Sequence, residues 1–201
     1  MDTFQSLRRK LSKDEINTLP VVNWKGRVEL VPAGISSSRA IDTLSKRRVL
    51  GFDTETRPVF RKGVIRHPSL IQISDGERVV IFQLQQMKSL DGLVALFENQ
   101  KILKVGVGVR NDCIQLQPVL PFKPKGFIDL GDIMKRHDIP SCGLRSMTAC
   151  LFGKRISKRA RCSNWEKKRL KAYQVRYAAT DAWISRELYL DMKKRGLINA
   201  S

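Results

Sequence analysis

Short stretches of hydrophobic residues, some alternating with polar ones, occupy much of the chain between residues 26 and 128. Alternation with a period of two is typical of β-strands that bury one face, and short apolar runs are typical of fully buried strands. Asp75 and Gly76 stand between two of these stretches and predict a tight hairpin turn. The pattern predicts strands at residues 26–31, 49–54, 69–74, 78–83, 102–107 and 127–128.

Helical periodicity is found in segments before, between and after these strands. Ser12 and Glu15 form a capping-box pattern that opens a short helix near the N-terminus. Strands followed by alternating strands and helices, and then by helices alone, predict one α/β domain with a mixed sheet and a helical C-terminal half. We expect this domain to span residues 46–198, with residues 1–45 as a lead-in packed on it. The later predicted helices are 36–48, 90–98, 111–116, 129–137, 143–152 and 170–195.

The charge of the chain points to a polyanionic partner. Its 201 residues include 38 lysine and arginine residues but only 19 aspartate and glutamate residues, a formal net charge of +19. A compact protein with this charge repels itself, and a polyanion relieves the repulsion. Nucleic acid is the first candidate and an anionic membrane surface the second. No apolar run approaches the roughly 20 residues that span a bilayer, and no apolar signal core opens the chain. We therefore expect no membrane insertion and a cytoplasmic location, or a nuclear one in a eukaryote.

Cysteine and histidine are too few and too scattered to predict a zinc site. None of the four cysteines forms a CxxC pair, and the chain has only two histidines. In the reducing compartment expected for this protein, the thiols should stay reduced, with no disulfide-linked partner. The four cysteines are Cys113, Cys142, Cys150 and Cys162.

Two carboxylates lie where the apolar pattern predicts burial. Asp53 and Glu55 belong to the stretch Val-Leu-Gly-Phe-Asp-Thr-Glu-Thr, and period-two alternation places both on one face of the strand. Buried acids this close repel each other, so one must keep a proton or a cation must lie between them. A second Asp-x-Glu triplet, Asp75 to Glu77, falls in the predicted turn and is interpreted as turn chemistry.

Two more acids could join this pair. Asp112 starts the helix that follows the strand at 102–107; an acid favoured by the helix dipole is the simpler interpretation. Tyr177 and Asp181 share a face of the last helix, on the stripe that turns to the core; a buried aspartate paired with arginine is the simpler interpretation there. If Asp112 and Asp181 instead meet Asp53 and Glu55, the pocket suits Mg²⁺ or Mn²⁺. Two such ions about 3.5–4 Å apart can activate a water and stabilise the leaving oxygen of a phosphodiester.

These residues resemble the motifs of the DEDD 3′–5′ exonucleases. Phe-Asp-Thr-Glu-Thr at 52–56 is similar to the first motif, residues 105–112 to the second, and Tyr-Ala-Ala-Thr-Asp at 177–181 to the third in its tyrosine form. With Cys-Ser-Asn-Trp at 162–165, the combination most resembles the ribonuclease D and Werner-type branch. The three motifs occur in the family's order.

The resemblance implies a ribonuclease H-like fold and a two-metal-ion 3′–5′ exonuclease that releases nucleoside 5′-monophosphates from the 3′ ends of DNA or RNA. In that case Asp53, Glu55, Asp112 and Asp181 would hold two Mg²⁺ or Mn²⁺ ions, and all four would be catalytic. Tyr177 would orient the attacking water or help to deprotonate it. A phenol with a pKa near 10 is a poor base, so orientation is the less demanding role.

Two basic segments are candidates for holding nucleic acid. Residues 154–176 contain ten lysines and arginines against the single acid Glu166, and residues 57–67 follow the Asp-x-Glu strand directly. Cations in these segments could bind phosphates, and Trp165 either stacks on a base or packs in the core as an anchor. The candidate nucleic-acid-binding residues are Thr54, Thr56, Arg57, Arg61, Lys62, Arg66, Lys154, Arg155, Lys158, Arg159, Arg161 and Trp165.

Two rival functions stay open at this point. A non-catalytic nucleic-acid-binding module could use the same fold, although a pure binder gains nothing from clustered anions that face a phosphate. A small-molecule phosphohydrolase could use the same metal pair, although a net charge of +19 disfavours it. The sequence leaves DNA and RNA open as substrates, because both carry the same phosphates.

Overall fold

A computed structural model describes residues 5–31, 38–61 and 63–198. Its centre is a six-stranded mixed sheet with the strand order β1-β4-β3-β2-β5-β6. The predicted strands are all present, with small differences at their ends. They are β1 (Arg27–Val31), β2 (Val49–Glu55), β3 (Leu70–Ser74), β4 (Arg78–Gln83), β5 (Leu103–Gly106) and β6 (Phe127–Asp129).

The directions of the strands bring several chain turns to one edge of the sheet. β2, β3 and β4 form an antiparallel meander, whereas β5 runs parallel to β2 and β6 runs parallel to β5. The carboxyl ends of β2, β5 and β6 therefore meet at the same edge. The hairpin between β3 and β4 turns at Asp75, whose side chain accepts hydrogen bonds from the backbone of Glu77 and Arg78 at 2.9 Å. This second Asp-x-Glu triplet is part of the turn, as its sequence context predicts.

Helices cover both faces of the sheet. On one face α2, α3 and α4 pack against β2, β3 and β4, and on the other α5, α6 and α7 close a second apolar cluster. Among the described helices, none combines the length and the apolar character that a bilayer-spanning segment requires. The helices are α1 (Lys13–Thr18), α2 (Ser38–Ser45), α3 (Asp91–Glu98), α4 (Val109–Leu116), α5 (Leu130–Arg136), α6 (Leu144–Phe152) and α7 (Ala172–Lys194), with 3-10 turns at Gln5–Arg8 and Leu84–Gln86.

The last helix, α7, lies directly against the central strand β2. The small residues Ala178, Ala179 and Ala182 are fully buried along this contact. Opposite them stands Gly51, where an added Cβ would overlap the backbone carbonyl oxygen of Ala182. Small side chains on both elements therefore fix the distance between the strand that carries Asp53 and Glu55 and the helix that carries Asp181.

The N-terminal segment is joined to the rest of the fold by backbone hydrogen bonds. The predicted capping box of α1 is present, with Ser12 and Glu15 bonded in both directions. β1 extends the sheet by pairing in parallel with β4. Between these elements, the backbone of Val22 donates to the carbonyl of Arg155 at 2.9 Å. The helix predicted at 36–48 is shorter, Ser38–Ser45, and its predicted first two residues lie outside the described part of the chain.

Candidate active site

Three carboxylates come together where β2 meets α7. Asp53 and Glu55 leave β2 on the same side, as the strand periodicity predicts, and Asp181 reaches them from α7. One oxygen from each of the three lies within 4.8 Å of the other two. Glu55 is 8% exposed and Asp181 5% exposed. The arrangement is a compact set of oxygen donors in which Glu55 and Asp181 are buried and Asp53 is half-buried.

Asp112 lies beside this group rather than within it. It belongs to the first turn of α4, which follows β5 after the turn at Gly108. The hydroxyl of Thr54 donates a hydrogen bond to Asp112 Oδ1 at 2.9 Å. Because Thr54 follows Asp53 on β2, the same strand also positions Asp112. The structure thus brings together three of the four predicted acids and places the fourth next to them. Thr54, named above as a candidate for nucleic-acid binding, positions Asp112.

Crowding and burial make the ionised form of these acids unfavourable. Burial raises the pKa of Asp53 well above its usual range, and the charges of Asp181 and Asp112 raise it further. Burial, followed by the charge of Asp53, raises the pKa of Glu55 to about 10. Without a compensating cation, Glu55 therefore keeps its proton at neutral pH, and burial favours the protonated form of Asp53 as well.

The other two acids are shifted in the same direction by smaller amounts. Burial raises the pKa of Asp181 to about 7, although the adjacent Tyr177 hydroxyl lowers it. Burial also raises the pKa of Asp112 to about 6, against the opposing hydrogen bond from Thr54. Both carboxyls therefore titrate close to neutral pH, where a bound cation competes with the proton.

The four acids fit a divalent cation. Within residues 5–31, 38–61 and 63–198, none of them forms an ion pair with lysine or arginine, so Asp181 is not half of a buried Asp–Arg pair. Asp181 Oδ1 is buried and has no hydrogen-bond partner among the described residues. A buried carboxylate oxygen without a partner costs about 1–3 kcal/mol or more, and an ion that prefers oxygen ligands would satisfy it. The ligands would be Asp53, Glu55, Asp112 and Asp181.

Tyr177 lies one helical turn before Asp181, and its ring packs against the ring of Trp165. Burial, together with the charges of Asp181, Glu55 and Asp53, raises the pKa of the Tyr177 phenol above its ordinary value. The hydroxyl therefore keeps its proton at neutral pH and can donate a hydrogen bond. The Trp165 ring packs 6.0 Å from the Tyr177 ring, centroid to centroid.

Trp165 itself is fully buried among residues of α7, β3 and β4. Base stacking requires an exposed ring face, so its assignment to nucleic-acid binding is wrong and the interpretation as a core anchor is correct. Its neighbour Glu166 is the acid of the basic segment and binds both Arg57 (2.8 Å) and Arg66. Glu166 thus joins the segment after β2 to the segment before α7.

The remaining basic candidates divide into two groups. Lys158 and Arg161 line a cavity of about 610 Å³ that also reaches Tyr177 and Asp181. The other described candidates do not line it: the Arg155 Nε donates to the carbonyl of Leu19 at 2.9 Å, and Arg159 lies over the ring of Tyr173. Lys154 and Arg61 are exposed, Thr56 is half-buried, and Lys62 lies outside the described residues.

Three cationic residues of this cavity are absent from the candidates that the sequence suggests. Lys10 and Lys13 reach it from the N-terminal segment and Arg145 from α6. The basic run from Arg8 to Lys13 is a visible signal. Interpreting residues 1–45 only as a lead-in packed on the domain leaves this basic run out of the predicted site.

The chain belongs to the 3′–5′ exonuclease family. A family model with that description matches residues 33–196. The family resemblance inferred from the three motifs is therefore confirmed. The matched region includes β2, α4 and α7, which carry the acids described above.

Two relatives and one solved structure illustrate the similarity. The chain is 31% identical over 159 residues to the mouse bifunctional 3′-5′ exonuclease/ATP-dependent helicase WRN, covering 76% of this chain and 11% of that protein. It is 30% identical over 202 residues to a 3′-5′ exonuclease of Arabidopsis thaliana, covering 92% of this chain and 70% of that protein. The chain thus spans only about a tenth of the length of the mouse relative.

The solved EXO domain of Nibbler from Aedes aegypti superposes with a TM-score of 0.76 at 22% identity, covering 87% of this chain and 92% of that domain. At this identity the likeness shows a shared fold. The predicted ribonuclease H-like α/β architecture is therefore confirmed.

Proposed function

We propose that this protein is a divalent-cation-dependent 3′–5′ exonuclease that hydrolyses the terminal phosphodiester of DNA or RNA and releases nucleoside 5′-monophosphates. The observation that carries the proposal is the group of Asp53, Glu55 and Asp181, of which one oxygen each lies within 4.8 Å of the other two. A group of acids that forms no ion pair within the described residues favours a metal-assisted reaction over simple binding, because in its ionised form it would repel the substrate's phosphates. The catalytic domain would be residues 46–198, with residues 1–45 packed on it.

The side chains at the site would have two roles, cation binding and orientation of the attacking water. Asp53, Glu55, Asp112 and Asp181 would hold the cations. When bound, a pair of Mg²⁺ or Mn²⁺ ions supplies a water of lowered pKa and stabilises the leaving oxygen. Tyr177 keeps its proton and orients the attacking water by donating or sharing a hydrogen bond, while burial of the surrounding groups limits the access of other waters.

The test offers labelled single-stranded DNA, recessed duplex DNA and RNA in parallel, with Mg²⁺ or Mn²⁺ and an EDTA control. We expect stepwise shortening from the 3′ end in the presence of metal, nucleoside 5′-monophosphates as products, and no cleavage in EDTA. Binding without cleavage would contradict the proposal in favour of a binding module. Hydrolysis confined to mononucleotides would contradict it in favour of a small-molecule phosphohydrolase.

Replacing Tyr177 with phenylalanine should lower kcat by about 10²-fold, the effect of removing one hydrogen-bond donor from an active site. The ring would still pack on Trp165, so the unfolding temperature should stay close to that of the wild type. Steady-state kinetics on a short oligonucleotide measure the effect. Tyr189→Phe on the same helix is the control, because Tyr189 packs in the apolar cluster away from the acids. Equal turnover in Tyr177→Phe and the wild type would remove Tyr177 from the reaction.

A further inference from the structure

The cavity beside Tyr177 and Asp181 has a second wall made by the N-terminal segment. It holds about 610 Å³, within the range of about 300–1,000 Å³ that is usual for ligand sites. Among the described residues that line it, Asp181 is the only acid, whereas five side chains are cationic. The charged side chains of the lining are thus cationic except for Asp181. The five cations are Lys10, Lys13, Arg145, Lys158 and Arg161.

The N-terminal wall is fixed to the catalytic domain rather than loosely attached. Leu7 and Ile16 are both less than 10% exposed. The guanidinium of Arg145 on α6 donates to the side chain of Asn17 on α1 at 2.8 Å. The thiol of Cys150, also on α6, donates to the carbonyl of Leu7 at 3.6 Å. The wall therefore keeps its place beside the cavity without a bound ligand.

Two lysines on this wall are available to bind an anion. Lys10 and Lys13 are exposed, and in the described part of the chain no carboxylate forms an ion pair with either. By contrast, neighbouring Arg9 is paired with Glu15. Both lysines lie outside residues 33–196, the region that matches the family model.

We infer that Lys10 and Lys13 bind backbone phosphates of the substrate strand on the 5′ side of the scissile bond. The inference rests on the proposed exonuclease function. A 3′-terminal nucleotide carries a single phosphate, the scissile one, and the proposed reaction places it at the acids. Any further phosphate in the cavity must therefore belong to the strand on the 5′ side. The five cations favour such a polyanionic strand over a neutral or cationic ligand.

The experiment compares the wild type with the double variant Lys10→Gln, Lys13→Gln on a dinucleotide without terminal phosphates and on a single-stranded 12-mer. The dinucleotide offers only the scissile phosphate, so both proteins should cleave it with equal kcat/KM. On the 12-mer, kcat/KM of the variant should fall on the order of tenfold at low salt. The slope of log affinity against log salt should also become shallower by about 1.4, because each phosphate of a single strand that a lysine neutralises contributes about 0.7.

Lys123→Gln, Lys125→Gln is the matched control. These exposed lysines precede β6, at the sheet edge opposite to the acids, and the double change removes the same charge. We expect it to leave kcat/KM on the 12-mer within about twofold of the wild type. Equal losses in the two double variants, or a loss on the dinucleotide as large as on the 12-mer, would overturn the inference. A wild-type protein that cleaves neither substrate with metal would instead contradict the exonuclease proposal.

Discussion

Replacing Asp181 with asparagine should abolish cleavage and make the cation-free protein more stable. Asp181 has a buried oxygen with no hydrogen-bond partner in the described part of the chain. One of its carboxylate oxygens lies within 4.8 Å of oxygens from Asp53 and Glu55. Without that carboxylate the site loses one of its cation ligands, and we expect kcat to fall by at least about 10³-fold. Binding of an oligonucleotide at low salt should remain, because the basic residues of the cavity are unchanged.

The gain in stability has a definite pH dependence. The pKa of Asp181 is raised to about 7 in the folded protein, from an ordinary value of 3.8. Between these values the unfolded chain has released a proton that the folded chain still binds, so the free energy of unfolding of the wild type falls as the pH rises. The asparagine variant has no carboxyl at this position, so its free energy of unfolding does not fall for this reason. Its advantage should therefore be absent near pH 4 and full above pH 7.

Thermal unfolding in EDTA measures this difference. At pH 7.5 we expect the Tm of the variant to exceed that of the wild type by at least 2–4 °C, about 1 kcal/mol for a chain of this length. Mn²⁺ should raise the Tm of the wild type and have little effect on the variant. Asp42→Asn, which removes an exposed acid on α2, is the control for the change in charge. A variant that is less stable than the wild type at pH 7.5 would contradict the electrostatic account of the site.

Gly51→Ala should damage both stability and activity. An added Cβ would overlap the carbonyl oxygen of Ala182 and lie 3.0 Å from the Cβ of Arg186, so α7 would have to move away from β2. Overpacking of this kind costs about 1–3 kcal/mol, and a clash with backbone belongs at the upper end. The shift would also separate Asp181 from Asp53. A misplacement of about 1 Å can cost 10²-fold in rate, and we expect a loss of that order in kcat.

Denaturant unfolding and steady-state kinetics test the Gly51 prediction together. Gly92→Ala on α3 is the matched control, because its added Cβ meets only the end of the flexible side chain of Ile41. That variant should stay within about 1 kcal/mol of the wild type and keep its activity. A Gly51→Ala protein with wild-type stability and rate would show that the spacing of α7 and β2 is not fixed by this contact.

The sequence predicted those parts of the site that depend on local periodicity. Asp53 and Glu55 share a face because side chains alternate along a strand, and Asp181 lies on the core side of its helix because its neighbours in the i, i+4 stripe are apolar. The separate position of Asp112 was not predicted. It depends on a hydrogen bond from Thr54, a residue on another element. Such a pairing leaves no periodic signal in either segment.

The sequence also could not predict the direction of side chains in irregular segments. Trp165 lies between helices, where no periodicity tells which way a ring points, and it proved to be buried. Lys104 is the opposite case, a cation buried in a strand. Its Nζ donates to the carbonyls of Leu96, Asn99 and Ile102. Burial lowers the pKa of Lys104 to about 8. Its partners come from α3 and the turn after it, which the sequence pattern does not link to Lys104.

The parallel pairing of β1 with β4 has a consequence for any shortened form of the chain. All residues from Val79 to Phe82 on β4 are fully buried, and β1 covers their backbone on the outer side. β1 is short and carries charged Arg27 and Glu29, which suits a strand that ends a sheet. A chain trimmed to the family-matching residues 33–196 would lack it. The bare, apolar β4 would then be open to strand-to-strand association between molecules, and aggregation would follow.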